Sequence, residues 1–267
     1  MEHIVGIKVG SNTLTENTDV LQQAAFDRIA RQVIALKAHS DVVLISSGAM
    51  TAGAAELGVD RSEYRDDYNV LSTLAAVGQT AIMRMWHEAF DPDYIVAQHL
   101  VTPHELTNDL EERQSYIAKL LQTIRFGDRK IVPIVNENDA ISHEEIKIGE
   151  NARLSALVME GLMETGLWSS GGLVMLTDVD GLYDRDPGFT DASLIRRVED
   201  VSAVRHLAGG SGSNHGTGGM AASIEAAQIA TKAGVDVYIA NGSEENAVEK
   251  AIQKRIGTYC EARSTAS

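Results

Sequence analysis

Polar side chains follow the apolar run Ile131–Val135 without a break, as Asn136, Glu137, Asn138 and Asp139. The run is β-branched except for one proline, which predicts a buried parallel strand. Two carboxamides and two carboxylates at the carboxyl end of such a strand cost free energy to desolvate unless they bind something. Open α/β sheets bind ligands at those strand ends. This pattern indicates a site for a small polar ligand. The alternative is a loop rich in turn-forming residues.

The residues after this cluster support the same interpretation. An alternating ribbon is predicted from about Ile141 to Ile148, followed by Gly149-Glu150-Asn151. Apolar residues then recur at helical spacing, at Leu154, Leu157, Val158 and Leu162. Strand, polar cluster, ribbon and helix start are together typical of a ligand held between backbone and carboxamide groups.

A lysine stands inside the first apolar run, which begins at Ile4 and ends in Gly10-Ser11-Asn12. Lys8 must find an anionic partner or reach water, for example from an edge strand. The glycine turn would bring backbone donors close to a phosphate. The G-x-x-x-x-G-K-[ST] spacing of a Walker loop is absent.

Three other stretches place small, acidic or glycine residues where a strand ends or a helix begins. Val42–Ile45 leads into Ser46-Ser47-Gly48-Ala49, which favours either an anion site at a helix N-terminus or an ordinary tight turn. The strand Leu173–Leu176 leads into Thr177 and four aspartates, at positions 178, 180, 184 and 186. These carboxylates could hold magnesium, grip ribose hydroxyls or merely cap turns.

The glycine-rich segment Gly209–Gly219 is either a linker or a loop that wraps phosphates with its backbone. It leads through Met220 directly into a predicted helix, Ala221–Ala233. A glycine loop that feeds a helix N-terminus favours the phosphate interpretation.

The elements that must position these residues alternate between helix and strand. Further helices are predicted at Leu21–Ala38, Leu71–Phe90, Asp109–Phe126 and Ala247–Ile256, and further strands at Tyr94–Gln98 and Val235–Ala240. This alternation predicts an α/β fold with a largely parallel sheet. Met83, Met85 and Trp86 are interpreted as core residues. A lobe boundary is expected near Thr165–Gly172, and a frayed tail after Gly257.

Bulk properties limit the possible partners. The 267-residue chain has a formal net charge of −15 and a pI of about 4.9. A phosphate-binding basic face is therefore not expected, which argues against nucleic acid and an anionic membrane surface as partners. The single cysteine, Cys260, allows no intrachain disulfide. The amino terminus lacks the features of a signal peptide and no apolar run is long enough to span a bilayer, so we expect a cytoplasmic protein.

Seven stretches, in chain order, resemble the glutamate 5-kinases of the amino-acid kinase superfamily, between about residues 4 and 242. They are VGIKVGSN, VVLISSGAMTAG, LAAVGQ, IVPIVNENDA, EIKIGEN, LTDVDGLYDRDP and GTGGM. The resemblance implies a three-layer α/β/α sandwich with a mainly parallel central sheet. It implies one domain over residues 1–267, with an acid-substrate lobe at about 1–168 and a nucleotide lobe at about 169–267. The RNA-binding-type PUA domain of some family members is not expected.

The resemblance also implies an activity. Family members use Mg-ATP to phosphorylate the γ-carboxylate of L-glutamate, the first step of proline synthesis. Magnesium would be bound mainly through ATP, with no dedicated protein metal site. The resemblance further implies a homo-oligomer and proline as a feedback inhibitor.

Site residues follow from the resemblance position by position. Lys8 would contact the transferring phosphoryl group. Ser47, Asp139 and Asn151 would hold glutamate. The ATP-binding residues would be Lys8, Thr177, Asp178, Thr217, Gly218, Gly219, Met220 and Ser223.

Two positions depart from the family pattern. The family sequence Gly-Asp-Asn-Asp is here Gly149-Glu150-Asn151-Ala152, and the lysine of Thr-Gly-Gly-Met-x-x-Lys is here Ser223. Arg153 and Lys147 are candidate replacements for the missing charge. Three hypotheses follow: a working glutamate 5-kinase, a catalytically silent homologue that binds glutamate or nucleotide as a regulatory subunit, or a kinase for another small acid.

Overall fold

The structure is a computed structural model of the chain, and it describes residues 2–107, 109–141, 151–209 and 217–263. The strands in these ranges are β1 (His3–Val9), β2 (Asp41–Ser46), β3 (Ile95–Val101), β4 (Ile131–Glu137), β5 (Ser170–Thr177), β6 (Arg197–Val198), β7 (Val235–Asn241) and β8 (Thr258–Cys260). The α-helices are α1 (Ser11–Thr15), α2 (Gln23–Lys37), α3 (Ala49–Leu57), α4 (Tyr68–Ala89), α5 (Pro103–Thr107), α6 (Leu110–Ile124), α7 (Asn151–Glu164), α8 (Thr217–Lys232) and α9 (Ala247–Ile252). Two 3-10 helices cover Arg61–Tyr64 and Val201–Gly209.

These strands form one sheet in the order β3-β4-β2-β1-β5-β7-β8-β6. Every described pairing is parallel except that of β7 with β8. β1 lies in the middle, between β2 and β5. The predicted α/β class and mainly parallel sheet are confirmed.

Helices cover both faces of the sheet, because alternate strand residues point to opposite sides. Val43 and Ile45 of β2 pack into a cluster with α6, α7 and α8. Val42 and Leu44 of the same strand pack into a second cluster with α2, α4 and α9. The molecule is therefore the expected three-layer sandwich. Trp86 is fully buried in the second cluster, as predicted for a core residue.

Two glycines let α3 and α4 approach backbone to backbone. A Cβ on Gly53 would lie 1.8 Å from the carbonyl oxygen of Leu74, and one on Gly78 would lie 1.8 Å from that of Ala49. Both distances are far below a van der Waals contact, so any side chain would push the helices apart. This close packing fixes the position of the residue after Gly78 relative to the start of α3.

Several predicted bounds differ from the structure. β4 continues through Asn136 and Glu137, which belong to the strand rather than to a loop after it. The predicted frayed tail after Gly257 is wrong, because Thr258–Cys260 is a buried strand. The last helix ends at Ile252 rather than Ile256.

β8 is anchored by more than strand pairing. Oγ1 of Thr258 accepts a hydrogen bond from the backbone N–H of Leu182 (2.8 Å) and donates to the carbonyl of Ile195 (2.6 Å). Such long-range anchoring leaves no periodic signal in three residues.

The expected lobe boundary coincides with a turn at Gly166, which has φ +68°, just before β5. The sheet continues across it through the pairing of β1 with β5, and the division into lobes stays a prediction. None of the helices in the described ranges combines the length and apolarity needed to cross a membrane.

Candidate active site

Four neighbouring strands end along one edge of the sheet. The order β4-β2-β1-β5 places their carboxyl ends side by side. Their last residues are Glu137, Ser46, Val9 and Thr177. Since the strands are parallel, the polar stretches that follow them meet at a single crevice, where open α/β sheets bind ligands.

Three carboxamides and a serine form a connected cluster at this edge. Nδ2 of Asn151 donates to Oδ1 of Asn136 (2.9 Å) and to Oγ of Ser47 (3.0 Å). Nδ2 of Asn136 donates to Oε1 of Gln79 (2.8 Å). Asn136 is only 1% exposed. We call Ser47, Gln79, Asn136 and Asn151 the amide cluster; it contains two of the predicted glutamate-binding residues.

The orientation of the amide cluster follows from one backbone group. The N–H of Glu137 can only donate, and it donates to Oδ1 of Asn136 (2.9 Å). Nδ2 of Asn136 must then face Gln79, which must present its oxygen. Nε2 of Gln79 is left buried, with no hydrogen-bond partner in the described part of the chain.

A cavity of about 440 Å³ opens beside the cluster, between α4 and the ends of β3 and β4. Its polar lining consists of Gln79, Thr80, Gln98, Glu137, Asn138 and Asp139. Asp139, the third predicted glutamate-binding residue, is half-buried. Burial raises the pKa of its carboxyl group to about 6. A cationic group in the cavity would favour the ionised carboxylate.

Lys8 lies on the central strand of this edge, not on an edge strand, so the alternative of an edge-strand lysine is wrong. Its Nζ is 3.4 Å from where a Cβ on Gly10 would lie, so the side chain turns toward the glycine turn after β1. Burial lowers the pKa of Lys8 to about 8, and the carboxylate of Asp178 only partly opposes this shift. The amine is therefore a buried group that is still mostly protonated near neutral pH, suited to neutralise an anion.

The predicted nucleotide residues Thr177 and Asp178 lie at the end of β5, on the side of β1 away from β2 and the amide cluster. Asp178 Oδ1 accepts from the hydroxyl of Thr177 (3.0 Å), and its Oδ2 accepts from Nδ2 of Asn12 (2.8 Å). The backbone N–H of Gly10 donates to the carbonyl of Leu176 (3.2 Å), which joins the turn after β1 to the end of β5. Thr177 and Asp178 thus lie next to the glycine turn.

The later aspartates of this stretch mainly stabilise local structure. Asp184 and Asp186 accept from the backbone N–H groups of Ser193 (2.9 Å) and Gly188 (2.8 Å). Asp180 accepts from Nδ2 of Asn241 (3.0 Å). No three His, Cys, Asp or Glu side chains in the described ranges are grouped to hold a metal ion. Turn capping, the commoner alternative, therefore accounts for Asp184 and Asp186.

The two departures from the family pattern are both buried. Ala152 is 2% exposed and packs among apolar residues of α7. Ser223 is 6% exposed, and its hydroxyl donates to the carbonyl of Gly219 (2.9 Å) in its own helix. Arg153, a candidate replacement for the missing charge, has its Nε 3.9 Å from Oε1 of Glu225 on α8.

Several predicted features fall outside the described residues. These are the ribbon after Ile141, Lys147, Gly149-Glu150 and most of the glycine-rich segment. The segment's end is described as the first turn of α8, which begins at Thr217 and includes Gly218, Gly219 and Met220.

Sequence reasoning missed Gln79 as a site residue. It stands in the resembling stretch LAAVGQ, and its only local signal is a polar side chain after a run of small and apolar residues.

Similarity to known proteins extends over nearly the whole chain. Residues 4–241 match the family model described as the amino acid kinase family. "Glutamate 5-kinase 2" of Pseudoalteromonas translucida is 38% identical over 259 residues, which is 96% of this chain and 67% of that protein. "Glutamate 5-kinase" of Herpetosiphon aurantiacus is 38% identical over 262 residues, which is 94% of this chain and 66% of that protein. The chain spans about two thirds of the length of these relatives.

Solved structures agree on the fold. Carbamate kinase from Giardia lamblia bound to AMP-PNP has a TM-score of 0.64 at 18% identity, over 97% of this chain and 98% of that one. UMP kinase from Ureaplasma parvum has a TM-score of 0.60 at 14% identity, over 98% of this chain and 99% of that one. With the sequence match over residues 4–241, these findings show that the chain belongs to the amino acid kinase family, with glutamate 5-kinases among its relatives.

Proposed function

We propose that the chain transfers the γ-phosphoryl group of ATP to the γ-carboxylate of L-glutamate, forming L-glutamyl 5-phosphate. The observation that carries this proposal is the position of Lys8. Its strand ends between β2, which leads into Ser47, and β5, which ends at Thr177. An acid held on one side and a nucleotide on the other would present their anionic ends to this cation.

The chemistry needs positioning and charge neutralisation more than covalent help from the protein. A carboxylate oxygen of glutamate attacks the γ-phosphorus, an O–P bond forms, and the bond to the bridging oxygen of ADP breaks. ATP supplies the phosphoryl group. The amide cluster would orient the acid, and Lys8 would neutralise charge as it develops on the transferred oxygens.

The nucleotide would lie over Thr177 and Asp178, with its phosphates at the start of α8. That 16-residue helix begins with Thr217-Gly218-Gly219-Met220. Helix N-termini with glycine present backbone N–H groups that bind phosphate oxygens. Magnesium would be held mainly by the ATP phosphates, as the resemblance implies.

A second candidate function is a catalytically silent subunit that binds glutamate or nucleotide. The burial of uncharged Ala152 and Ser223, where the family pattern has charged residues, favours it. Losing one preorganised charge typically lowers a rate by about 10²–10³. Phosphorylation of another small acid is the third possibility. Proline inhibition and homo-oligomer formation stay proposals that rest on the resemblance. A cytoplasmic location stays a proposal that rests on the sequence features described above.

The test is to trap the acyl phosphate with hydroxylamine in the presence of L-glutamate, ATP and magnesium. We expect hydroxamate from the native chain, and a loss of at least about 10² with Lys8→Ala. Lys37→Ala, which removes a lysine at the end of α2, is the control and should keep the native rate. Equal yields from the native chain and Lys8→Ala would contradict the proposed role of Lys8.

If the native chain forms no hydroxamate, the silent-subunit and other-acid candidates are separated by two measurements. Glutamate binding without turnover supports the silent subunit, and ADP release with a different acid supports the third candidate. The double variant Ala152→Asp/Ser223→Lys then tests whether those two positions account for the missing activity.

A further inference from the structure

We propose that Gln79 determines the specificity of the acid site, with Nε2 donating to a carboxylate oxygen of the acid substrate while Oε1 holds Asn136 in place. This inference rests on the proposed function, because it identifies one more residue that recognises the proposed substrate. The side chain would have two separate tasks, one for each of its polar atoms.

The first argument is the unpaired donor. Nε2 of Gln79 is buried and has no partner among the described residues. A buried polar group without a hydrogen bond is rare in a native structure and needs an explanation. A 180° rotation of the Gln79 amide group would not solve this problem. It would place Nε2 against Nδ2 of Asn136, which is a donor and now pairs with Oε1 at 2.8 Å.

The second argument is rigidity. Gln79 follows Gly78, whose contact with the backbone of Ala49 leaves no room for a Cβ. Its Oε1 is tied through Asn136 to Asn151 and, from there, to Ser47. A donor held this firmly loses little conformational freedom when it binds a ligand, so it discriminates well between ligands.

The third argument is the chemistry of the cavity that Gln79 lines. Met83, Leu100 and alanines supply apolar walls that suit the methylene groups of a small acid. Glu137 and Asp139 supply carboxylates, which repel an acid unless donors compensate. Nε2 of Gln79 is such a donor, and it would favour a ligand oxygen over a ligand N–H or a methyl group.

Gln79→Glu separates the two tasks. Glutamate has nearly the same shape and keeps an oxygen to accept from Asn136, but it replaces the NH2 group by a carboxylate oxygen. We expect the KM and the calorimetric Kd for L-glutamate to rise at least about 10²-fold, since a site built to pair a substrate group rejects a mismatch strongly. The KM for ATP should stay near its native value, and the Tm should fall, because the new carboxylate oxygen is buried without a partner.

Gln98→Glu is the matched control, because it adds the same charge to the lining of the same cavity at an exposed position. Its effect on the Kd for glutamate should be at least about tenfold smaller than that of Gln79→Glu. Gln79→Met removes both polar atoms, so it should weaken binding and also lower the Tm, since Asn136 loses its acceptor.

The outcomes keep the two proposals apart. An unchanged Kd in Gln79→Glu, or equal effects of Gln79→Glu and Gln98→Glu, would mean that Gln79 serves only to hold Asn136, and would overturn the inference. A raised Kd without any hydroxamate from the native chain would support Gln79 and overturn the kinase activity alone. If the native chain bound no glutamate at millimolar concentration, both proposals would fall.

Discussion

Among the residues of the amide cluster, every side-chain amide atom except Nε2 of Gln79 has a hydrogen-bond partner in the described part of the chain. Asn136 accepts through Oδ1 and donates through Nδ2 to Gln79. Asn151 likewise accepts through Oδ1, from the N–H of Glu137, and donates through Nδ2 to Asn136. Lys8 adds a cation, and Asp139 adds a carboxyl group with a raised pKa. The resulting site has defined donors and defined charges, whose effects can be measured separately.

The first prediction at this scale concerns pH. Asp139, with a pKa of about 6, loses its negative charge as the pH falls through that value. Lys8, with a pKa of about 8, loses its positive charge as the pH rises through that value. If both charges are needed, kcat/KM for glutamate should follow a bell-shaped profile with limbs near these values. The measurement is hydroxamate formation from pH 5 to 9.5. Asp139→Asn should abolish the acid limb, and an unchanged limb would exclude Asp139 as its source.

The second prediction concerns Asn151. Its Nδ2 lies close to three acceptors: Oδ1 of Asn136, Oγ of Ser47 and the carbonyl of Ser46. Asn151→Asp would place a carboxylate oxygen against them, so we expect the free energy of unfolding to fall by about 2–3 kcal/mol. Urea denaturation at pH 7 measures this change.

Asn12→Asp is the control, because it makes the same substitution where the exposed Asp178 is the partner. There solvent screens the new repulsion, and a loss below about 1 kcal/mol is expected. Similar losses in both variants would show that the amide cluster contributes no more than a surface contact.

At the scale of elements, the packing of α3 on α4 determines where the amide cluster lies. α3 begins after Gly48, next to Ser47, and α4 carries Gln79. Their closest approach is set by backbone contacts at Gly53 and Gly78, where neither helix has room for a side chain. The acid side of the site therefore depends on helices that permit no larger residue at the crossing.

The third prediction is that Gly78→Ala lowers the free energy of unfolding by about 3 kcal/mol, because its Cβ would meet a carbonyl oxygen that belongs to the backbone. Gly161→Ala on α7 is the matched control. Its Cβ would meet side chains and no backbone, Ile117 at 2.7 Å and Arg113 at 3.6 Å, and the gain in helix propensity offsets these contacts to within about 1 kcal/mol. Thermal unfolding followed by circular dichroism compares the two, and equal losses would contradict the backbone argument.

At the scale of the whole molecule, a single sheet crosses the expected boundary between an acid lobe and a nucleotide lobe. β1 pairs along its full length with β5, and β5 pairs along most of its length with β7. Packing clusters on both faces also contain residues from both halves of the chain. The two substrates would thus meet above a shared core.

The fourth prediction follows from this continuity: the chain should unfold in one cooperative step. Calorimetric and van't Hoff enthalpies should agree, and tryptophan fluorescence should report the same midpoint as far-UV circular dichroism. Two separated transitions would instead indicate that the lobes at about 1–168 and 169–267 are independent units.

Much of the fold and part of the site could be predicted from the sequence. Continuous apolar runs identified the longer strands, because both faces of a parallel sheet are buried. Apolar residues at a period of 3.6 identified the longer helices, because one face of each helix is buried. Polar clusters after Ile45, Val135 and Leu176 indicated the binding edge, because a buried parallel strand ends where its side chains become polar. β8 was missed, since three residues that pair only with distant strands carry no local period.

The sequence by itself determined the α/β class, the three-layer architecture through resemblance, and the residue types available for binding an acid and a nucleotide. Only the tertiary structure decided which of them meet. The amide cluster joins residues from the turn after β2 and from α4, β4 and α7, and the direction of each amide depends on the backbone N–H of Glu137. Hydrogen bonding depends on distance and direction in space, which spacing along the chain does not fix. For that reason Gln79 became visible as a candidate only in the folded molecule.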